Sequence, residues 1–324
     1  MSKKKIYNAV IIGAGNIASR FDTPKSAIVL THAHALSNHP RIKLMGMMDT
    51  NVINGKKEAK KWQTNFYADY REMLNEVQPD IVVVATPSVT HKEILIDVLH
   101  SKPKVVIMEK PVVDEKREIA LIRRVALKSG VPVIVNFRRR FDPALLEVRD
   151  ALMKGTYGAV LSGSAMYSKG VMHNGSHMMD LARYFFGEIL SAKAMHAVDD
   201  FKGGKPTISG FATFERCPQF YFMAGDERSF YIFEFEIVTE KYRIRFIDEG
   251  RYVSTQKVER DTMYKDDRVL GKTKVKESKL NEAMTRMVTH AVGVADGVVQ
   301  PHSSLEEGLR TQEACYKFLE SLKK

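Results

Sequence analysis

The stretch Gly13-Ala14-Gly15-Asn16-Ile17-Ala18 follows directly on an apolar run, Ala9 to Ile12. Its residue types suit the holding of a pyrophosphate. Gly13 permits a sharp turn out of a strand, Gly15 has no side chain to keep a phosphate off the backbone, and Ala18 is small enough for a following helix to pack closely. The free N–H groups at the start of that helix, at Asn16 and Ile17, and its positive dipole end favour an anion. A second apolar run, Ile42 to Met48, stops at Asp49. A carboxylate there hydrogen-bonds the hydroxyls of an adenosine ribose and repels a 2′-phosphate. The spacing exceeds the usual separation of about 20 residues, and the polar insert from Phe21 to Thr31 accounts for the excess. Thr50 and Asn51 follow with no arginine, which favours NAD over NADP, although Lys56 and Lys57 lie within reach of a phosphate. Thr86, Pro87, His91, Glu109, Lys110 and Asn136 also fall just past apolar runs. Singly, each could cap a helix or sit on the surface. Their common position, beyond the carboxyl ends of parallel strands, is where such sheets hold ligands.

The elements that position these groups alternate. Strands are expected at Ile42 to Met48, Ile81 to Ala85, Val105 to Met108 and 131 to 135. Helices are expected near His32, at 52 to 63, 69 to 77, His91 to His100 and 114 to 129. That order predicts an α/β fold whose N-terminal part is a Rossmann-type, doubly wound parallel sheet. His32 and His34 stand one residue apart in a helix and so face different sides, which suits packing better than metal binding. The pattern changes after Phe137: a helix over Pro143 to Met153, a strand near 160 to 168, a helix near 176 to 186, and then mostly strands before two closing helices. Phe233, Phe235 and Ile237 alternate with Glu234 and Glu236, and Lys241 to Phe246 alternates charged with apolar, as half-exposed antiparallel strands do. Two domains are expected: 1–136 for a dinucleotide, and 137–324, an α/β domain on a large open, mostly antiparallel sheet, for substrate and oligomerisation. A bare sheet face suits packing against another subunit, giving a homodimer or homotetramer.

Composition narrows the class. The chain has 324 residues, 44% of them hydrophobic, and charge scattered throughout, which describes a folded globular protein rather than a disordered one. Two cysteines, Cys217 and Cys315, make no zinc or disulfide pattern, which fits a reducing cytoplasm. Lys3-Lys4-Lys5 before an apolar run imitates a signal peptide, but Asn8 and Asn16 interrupt that run. No other run approaches the roughly 18 apolar residues that span a bilayer. A net charge of +11 should attract anions. Its clusters at Lys56-Lys57, Arg138-Arg139-Arg140 and Lys272 to Lys279 lack the aromatic interleaving or reading helix of a nucleic-acid binder. A phosphorylated or nucleotide-linked small molecule suits the field better.

One ordered set of motifs spans nearly the whole chain: the G-x-G-x-x-A start, T-P-x-x-x-H at 86 to 91, E-K-P at 109 to 111, R-R-F-D-P at 139 to 143 and G-S-H-x-x-D at 175 to 180. The set resembles the Gfo/Idh/MocA oxidoreductases, named after glucose-fructose oxidoreductase and inositol dehydrogenase. The resemblance implies an NAD(P)-dependent enzyme acting on a sugar hydroxyl or keto carbon. It puts Lys110 beside the nicotinamide and the reacting carbinol, and a cis Lys110–Pro111 bond is expected. It makes His177 the group that exchanges the hydroxyl proton, with Asp180 able to orient it. An ammonium can stabilise a developing alkoxide, and a histidine titrates near neutral pH. The blander readings are a surface lysine and a buried helix histidine.

Sugar dehydrogenases of that family often carry an aspartate four residues before the histidine, where this chain has His173. His173 and His177 could share a helix face as a metal pair, but no third ligand is evident and no metal is expected. Asn174 to His177 and Asp180 to Gly187 look more like members associated with nucleotide-sugar and surface-polysaccharide biosynthesis. Arg138, Arg139, His173 and Asp180 are then candidate substrate contacts. Two other readings stay open: an NAD-dependent glycosidase that recycles its cofactor, and a non-catalytic NAD-binding regulator.

Overall fold

The computed structural model describes residues 5–323; Lys3 and Lys4 of the basic N-terminal run lie outside them. The chain divides into two compact units, Met1–Phe141 with Asn281–Leu309, and Asp142–Leu280 with Arg310–Lys324. The first division falls after Phe141. The second, at Asn281, is a return of the chain that sequence periodicity does not reveal.

The first unit is built on six parallel strands: β1 (Tyr7–Ile12), β2 (Ile42–Met48), β3 (Asn65–Tyr67), β4 (Ile81–Val84), β5 (Val105–Met108) and β6 (Val133–Val135). Their order is β3-β2-β1-β4-β5-β6, so the winding reverses between β1 and β4. β4 reads Ile-Val-Val-Val and β5 Val-Val-Ile-Met, every residue buried, as expected of strands covered on both faces. The accompanying helices are α1 (His32–Ser37), α2 (Val52–Lys61), α3 (Tyr70–Val77), α4 (His91–His100) and α5 (Ile119–Ser129). The three-residue β3 escaped the sequence reading because it is too short to show a period. A further difference follows the glycine turn. Instead of a regular helix there is one π-type turn, Asn16–Arg20, closed by the Phe21 N–H on the Asn16 carbonyl. A single turn carries little macrodipole, and its local N–H groups remain to meet an anion.

The second unit carries α6 (Pro143–Met153), β7 (Val160–Tyr167), α7 (Gly175–Phe186), β8 (Ile189–Val198), β9 (Thr207–Phe214) and β10 (Cys217–Ala224). It continues with β11 (Phe233–Thr239), β12 (Tyr242–Ile247), β13 (Tyr252–Arg260), β14 (Arg268–Leu270) and β15 (Lys274–Glu277). These strands form a nine-stranded sheet, in which β7 and β10 pair in parallel and the other pairs are antiparallel. The chain then forms α8 (Ala283–Ala295), which belongs to the first unit, and α9 (Leu305–Glu320). α8 buries Met284, Met287 and Val288 in the core that holds Ile11, Val83 and Ile107. Beyond it, Asp296 accepts hydrogen bonds from the Tyr7 hydroxyl and the Arg41 guanidinium, each at 2.7 Å.

The alternation in β11 and β12 has the expected effect. Phe233, Phe235, Ile237, Ile244 and Phe246 are buried on one face, while Glu236 and Arg243 pair at 2.7 Å on the other. The buried face is an aromatic cluster: Phe235 lies 5.2 Å from Phe220, 5.7 Å from Phe185 and 6.2 Å from both Phe186 and Phe246. The other face exposes Phe211 and Tyr221, direct cross-strand partners, with Met223 nearby. Among the described residues no helix is long and apolar enough to cross a membrane. Cys217 and Cys315 are both buried and free of any disulfide.

Truncating Phe235 to Ala should destabilise the chain by about 3–5 kcal/mol through lost packing and an unfilled cavity. Glu234→Ala, one residue away on the opposite face, should stay within about 0.5 kcal/mol. Urea unfolding measures both, and equal losses would contradict the burial pattern.

Candidate functional site

The carboxyl ends of β1, β2 and β4 meet at the reversal in strand order. Gly13 has φ +101°, and a Cβ on it would lie 2.6 Å from the Ala85 carbonyl oxygen, so no other residue fits there. Gly15 is the opposite case: a Cβ would meet nothing within 4 Å. It borders the open space at the carboxyl ends of the strands. Ala18 is fully buried in the core, as its size requires. Asp49 is held beside the turn, Oδ2 accepting from the Ala14 N–H at 2.9 Å and Oδ1 from the Asn51 N–H at 2.8 Å. Each oxygen retains a lone pair for a ribose hydroxyl. A cavity of about 560 Å³ opens here, bordered by Gly15, Asp49, Tyr70, Thr86 and Pro87. Open space at Gly15 with a fixed carboxylate beside it fits the adenosine and pyrophosphate half of a dinucleotide. Asn16 is exposed, Ile17 packs on the core, and Lys56 and Lys57 are exposed.

Tyr70 was not anticipated. Its hydroxyl donates to Asp97 at 2.8 Å and the Arg71 guanidinium lies 4.6 Å above its ring, so the aromatic wall of the cavity is fixed.

His91 does not face the cavity. Its ring is 1% exposed and lies between two carbonyl oxygens, Pro111 at 2.7 Å from Nδ1 and Thr86 at 2.8 Å from Nε2. Burial lowers its pKa, against the pull of those two acceptors. The side chain therefore joins the loop after β4 to the loop after β5, where the Lys110–Pro111 bond is cis. Glu109 is buried. One of its oxygens accepts from Asn136 Nδ2 at 2.6 Å and lies 2.8 Å from His32 Nε2. Burial alone would raise this carboxyl. The His32 contact, the Asn136 donor and the Lys110 charge outweigh it and hold the group below the usual carboxylate range. His32 and His34 do face apart. His34 Nδ1 lies 2.9 Å from Asp22, which also accepts from the Leu30 N–H and the Thr31 N–H and hydroxyl, so the polar insert is tied to the start of α1. Spacing revealed the histidine faces but not their carboxylate partners, and Glu109 stands 77 positions from His32.

In the arginine run, Arg138 is half-buried and Arg139 buried; Arg140 donates to Glu307 at 3.0 Å and to the His302 carbonyl at 3.2 Å. Phe141 packs on His290 and His302, whose rings are 4.2 Å apart. The His302 N–H donates to His290 Nε2 at 3.1 Å, which requires that nitrogen unprotonated.

In the second unit, His177 lies on the first turn of α7, 9% exposed, with its ring edge-on to Phe233 at 6.4 Å. Asp180 is buried and accepts from the Thr311 hydroxyl at 3.4 Å; that oxygen in turn accepts from Arg183 at 2.7 Å. His173 lies on a second π-type turn, Gly170–Asn174, with its ring 5.1 Å from Phe201. Among the described residues no group of His, Cys, Asp and Glu side chains is arranged to hold a metal ion.

The His290 contact makes stability depend on pH. Burial, then the neighbouring His302, push His290 from 6.5 down to about 4, so its contribution is fully present above pH 6.5 and is lost as pH falls towards 4. In His290→Gln that acid-side loss should be smaller, as measured by urea midpoints across the range. An unchanged slope would show that other groups carry it.

A family model described as an oxidoreductase family with an NAD-binding Rossmann fold matches residues 7–137. Among curated relatives, the uncharacterized oxidoreductase YrbE of Bacillus subtilis is 29% identical over 46% of this chain and 40% of its own length. Inositol 2-dehydrogenase 2 of Saccharopolyspora erythraea is 28% identical over 40% of this chain and 41% of its own. The chain thus spans less than half the length of these relatives. In fold the likeness is longer. The WlbA dehydrogenase of Bordetella pertussis, solved with NADH and UDP-GlcNAcA, superposes with a TM-score of 0.78 over 99% of this chain and 96% of that one, at 16% identity. Over residues 7–137 the chain is thus similar to the Gfo/Idh/MocA oxidoreductases, a family with an NAD-binding Rossmann fold.

Proposed function

We propose that the chain transfers a hydride between a hydroxyl or keto carbon of a sugar or nucleotide-sugar and a nicotinamide cofactor, NAD in preference to NADP. The observation that carries this reading is the cavity at the reversal of the six-stranded sheet, where Gly15 opens onto free space beside the fixed carboxylate of Asp49. The same carboxylate disfavours a 2′-phosphate, which supports NAD.

When bound, the nicotinamide exchanges a hydride with the reacting carbon. The chain's own groups then have separable tasks. Lys110, fixed in a cis peptide after the buried Glu109, would donate a hydrogen bond to the substrate oxygen and stabilise negative charge developing on it. His177 would take the hydroxyl proton as hydride leaves the carbinol carbon, and return it in the reverse direction. Asp180, three residues on in α7 and buried with Thr311 and Arg183, would orient His177 or contact the substrate. His91, Glu109 and Asn136 act as positioning groups for the E-K-P loop, and Arg138, Arg139 and His173 remain candidate substrate contacts. The reading extends to a cytoplasmic homo-oligomer assembled through the bare sheet face that exposes Phe211 and Tyr221, with a role in polysaccharide biosynthesis.

Two outcomes follow. Lys110→Ala should lower kcat by about a hundredfold or more, followed as NADH absorbance with a panel of sugars and UDP-sugars; unchanged turnover would refute the role given to Lys110. NADH formation in proportion to substrate also distinguishes this reading from a glycosidase, which recycles its cofactor, and from a regulator, which forms none. Gly15→Ala should leave the thermal midpoint unchanged but weaken NADH binding by about tenfold or more, measured by fluorescence titration. Equal affinity would place the pyrophosphate elsewhere.

A further inference from the structure

The segment Phe201-Lys202-Gly203-Gly204-Lys205, between β8 and β9, is not explained by the reading above. It is fixed at its base and cationic at its tip. Asp200, buried, accepts from the Lys169 N–H at 2.7 Å, the Thr207 hydroxyl at 2.6 Å and the Glu227 N–H at 3.1 Å. The Thr207 oxygen accepts in turn from the Gly170 N–H at 2.6 Å, and the Val171 N–H donates to the Pro206 carbonyl. The loop therefore lies directly on the π-type turn that carries His173. Contact is close: a Cβ on Gly170, which has φ +74°, would lie 2.5 Å from the Lys205 carbonyl oxygen. Phe201 covers that turn, its ring 5.1 Å from the His173 ring and 5.8 Å from the Lys169 ammonium.

The exposed polar side chains of the loop itself are donors. Lys202 and Lys205 are exposed, and among the described residues neither is within ion-pair distance of a carboxylate. Of the neighbouring acids, Glu227 pairs with Lys169 at 3.3 Å and Asp226 with Arg228 at 2.6 Å, while Asp199 is exposed. On the turn itself, Asn174 is 4% exposed; its Oδ1 lies 3.1 Å from His173 Nδ1, and its Nδ2 is buried without a hydrogen-bond partner. A buried donor left unpaired costs about 1–3 kcal/mol, so a ligand acceptor there recovers a real penalty.

We infer that this loop and the His173–Asn174 turn form a subsite for an anionic group of the substrate, a phosphate or a carboxylate, with Lys202 and Lys205 closing over it. The inference rests on the sugar-oxidoreductase reading and names the substrate feature that reading leaves open.

The test uses the full chain saturated with NADH, which occupies the glycine turn, titrated calorimetrically with inorganic pyrophosphate and, separately, with glucuronate. Wild type should bind at least one of them. Lys202→Ala/Lys205→Ala should weaken that binding by about tenfold or more, as expected for two lost charge-assisted contacts. NADH affinity should be unchanged, since the loop is not part of the glycine turn. Loss confined to pyrophosphate identifies a phosphate, and loss confined to glucuronate a carboxylate. A double variant that binds both anions as wild type does, or a wild type that binds neither, overturns the subsite and leaves the oxidoreductase reading intact. Failure of wild type to bind NADH defeats the oxidoreductase reading instead, and the comparison of the two proteins with each anion still decides the loop.

Discussion

The contact between Gly13 and the end of β4 is the constraint on which the first unit depends. β1 leaves the sheet against the Ala85 carbonyl with no room for a side chain, and only a residue without a Cβ can take that path at φ +101°. Because the chain turns there, the Ala14 N–H meets Asp49 at the end of β2, and Gly15 opens onto the cavity. The two glycines serve different ends. One is demanded by packing inside the fold, and the other lines the open cavity, where a side chain would intrude on a bound group.

A second constraint operates at the ends of β5 and β6. Glu109 is a buried carboxylate, and burying one without partners is expensive. Here His32 from α1 and Asn136 from the end of β6 converge on one of its oxygens. His91 links the carbonyls of Thr86 and Pro111. The loop bearing Lys110 is thereby flanked by side chains with almost no freedom of their own, so the position of its backbone is set by the core rather than by the loop. Pre-organisation of this kind is what electrostatic stabilisation of a reacting oxygen requires.

What could be read in the sequence was what is local. Pro143–Met153 forms as a helix between the expected residues, β2 ends where its apolar run ends, and β11 and β12 bury the face their alternation assigns. What could not be read depends on distant pairings or on very short elements. His32 looks like a packing residue until Glu109 is beside it. Tyr70 has no motif, and becomes a cavity wall only because α3 follows β3 at the sheet edge. The return of α8 to the first unit rests on Met284, Met287 and Val288 meeting the sheet core, which no window of neighbouring residues displays. A π-type turn stands after Gly15 in place of the expected helix, and the insert that follows closes on its own Asp22. The motifs at 13–18, 86–91 and 109–111 lie within the residues that the oxidoreductase family model matches.

The most direct measurement is a diffraction structure of the chain crystallised with NAD. The pyrophosphate should lie against the backbone at Gly15, and the adenosine ribose hydroxyls should be hydrogen-bonded to the Asp49 carboxylate. A dinucleotide bound away from this turn, or a ribose with no contact to Asp49, would contradict the assignment of the sheet's carboxyl edge as the cofactor site.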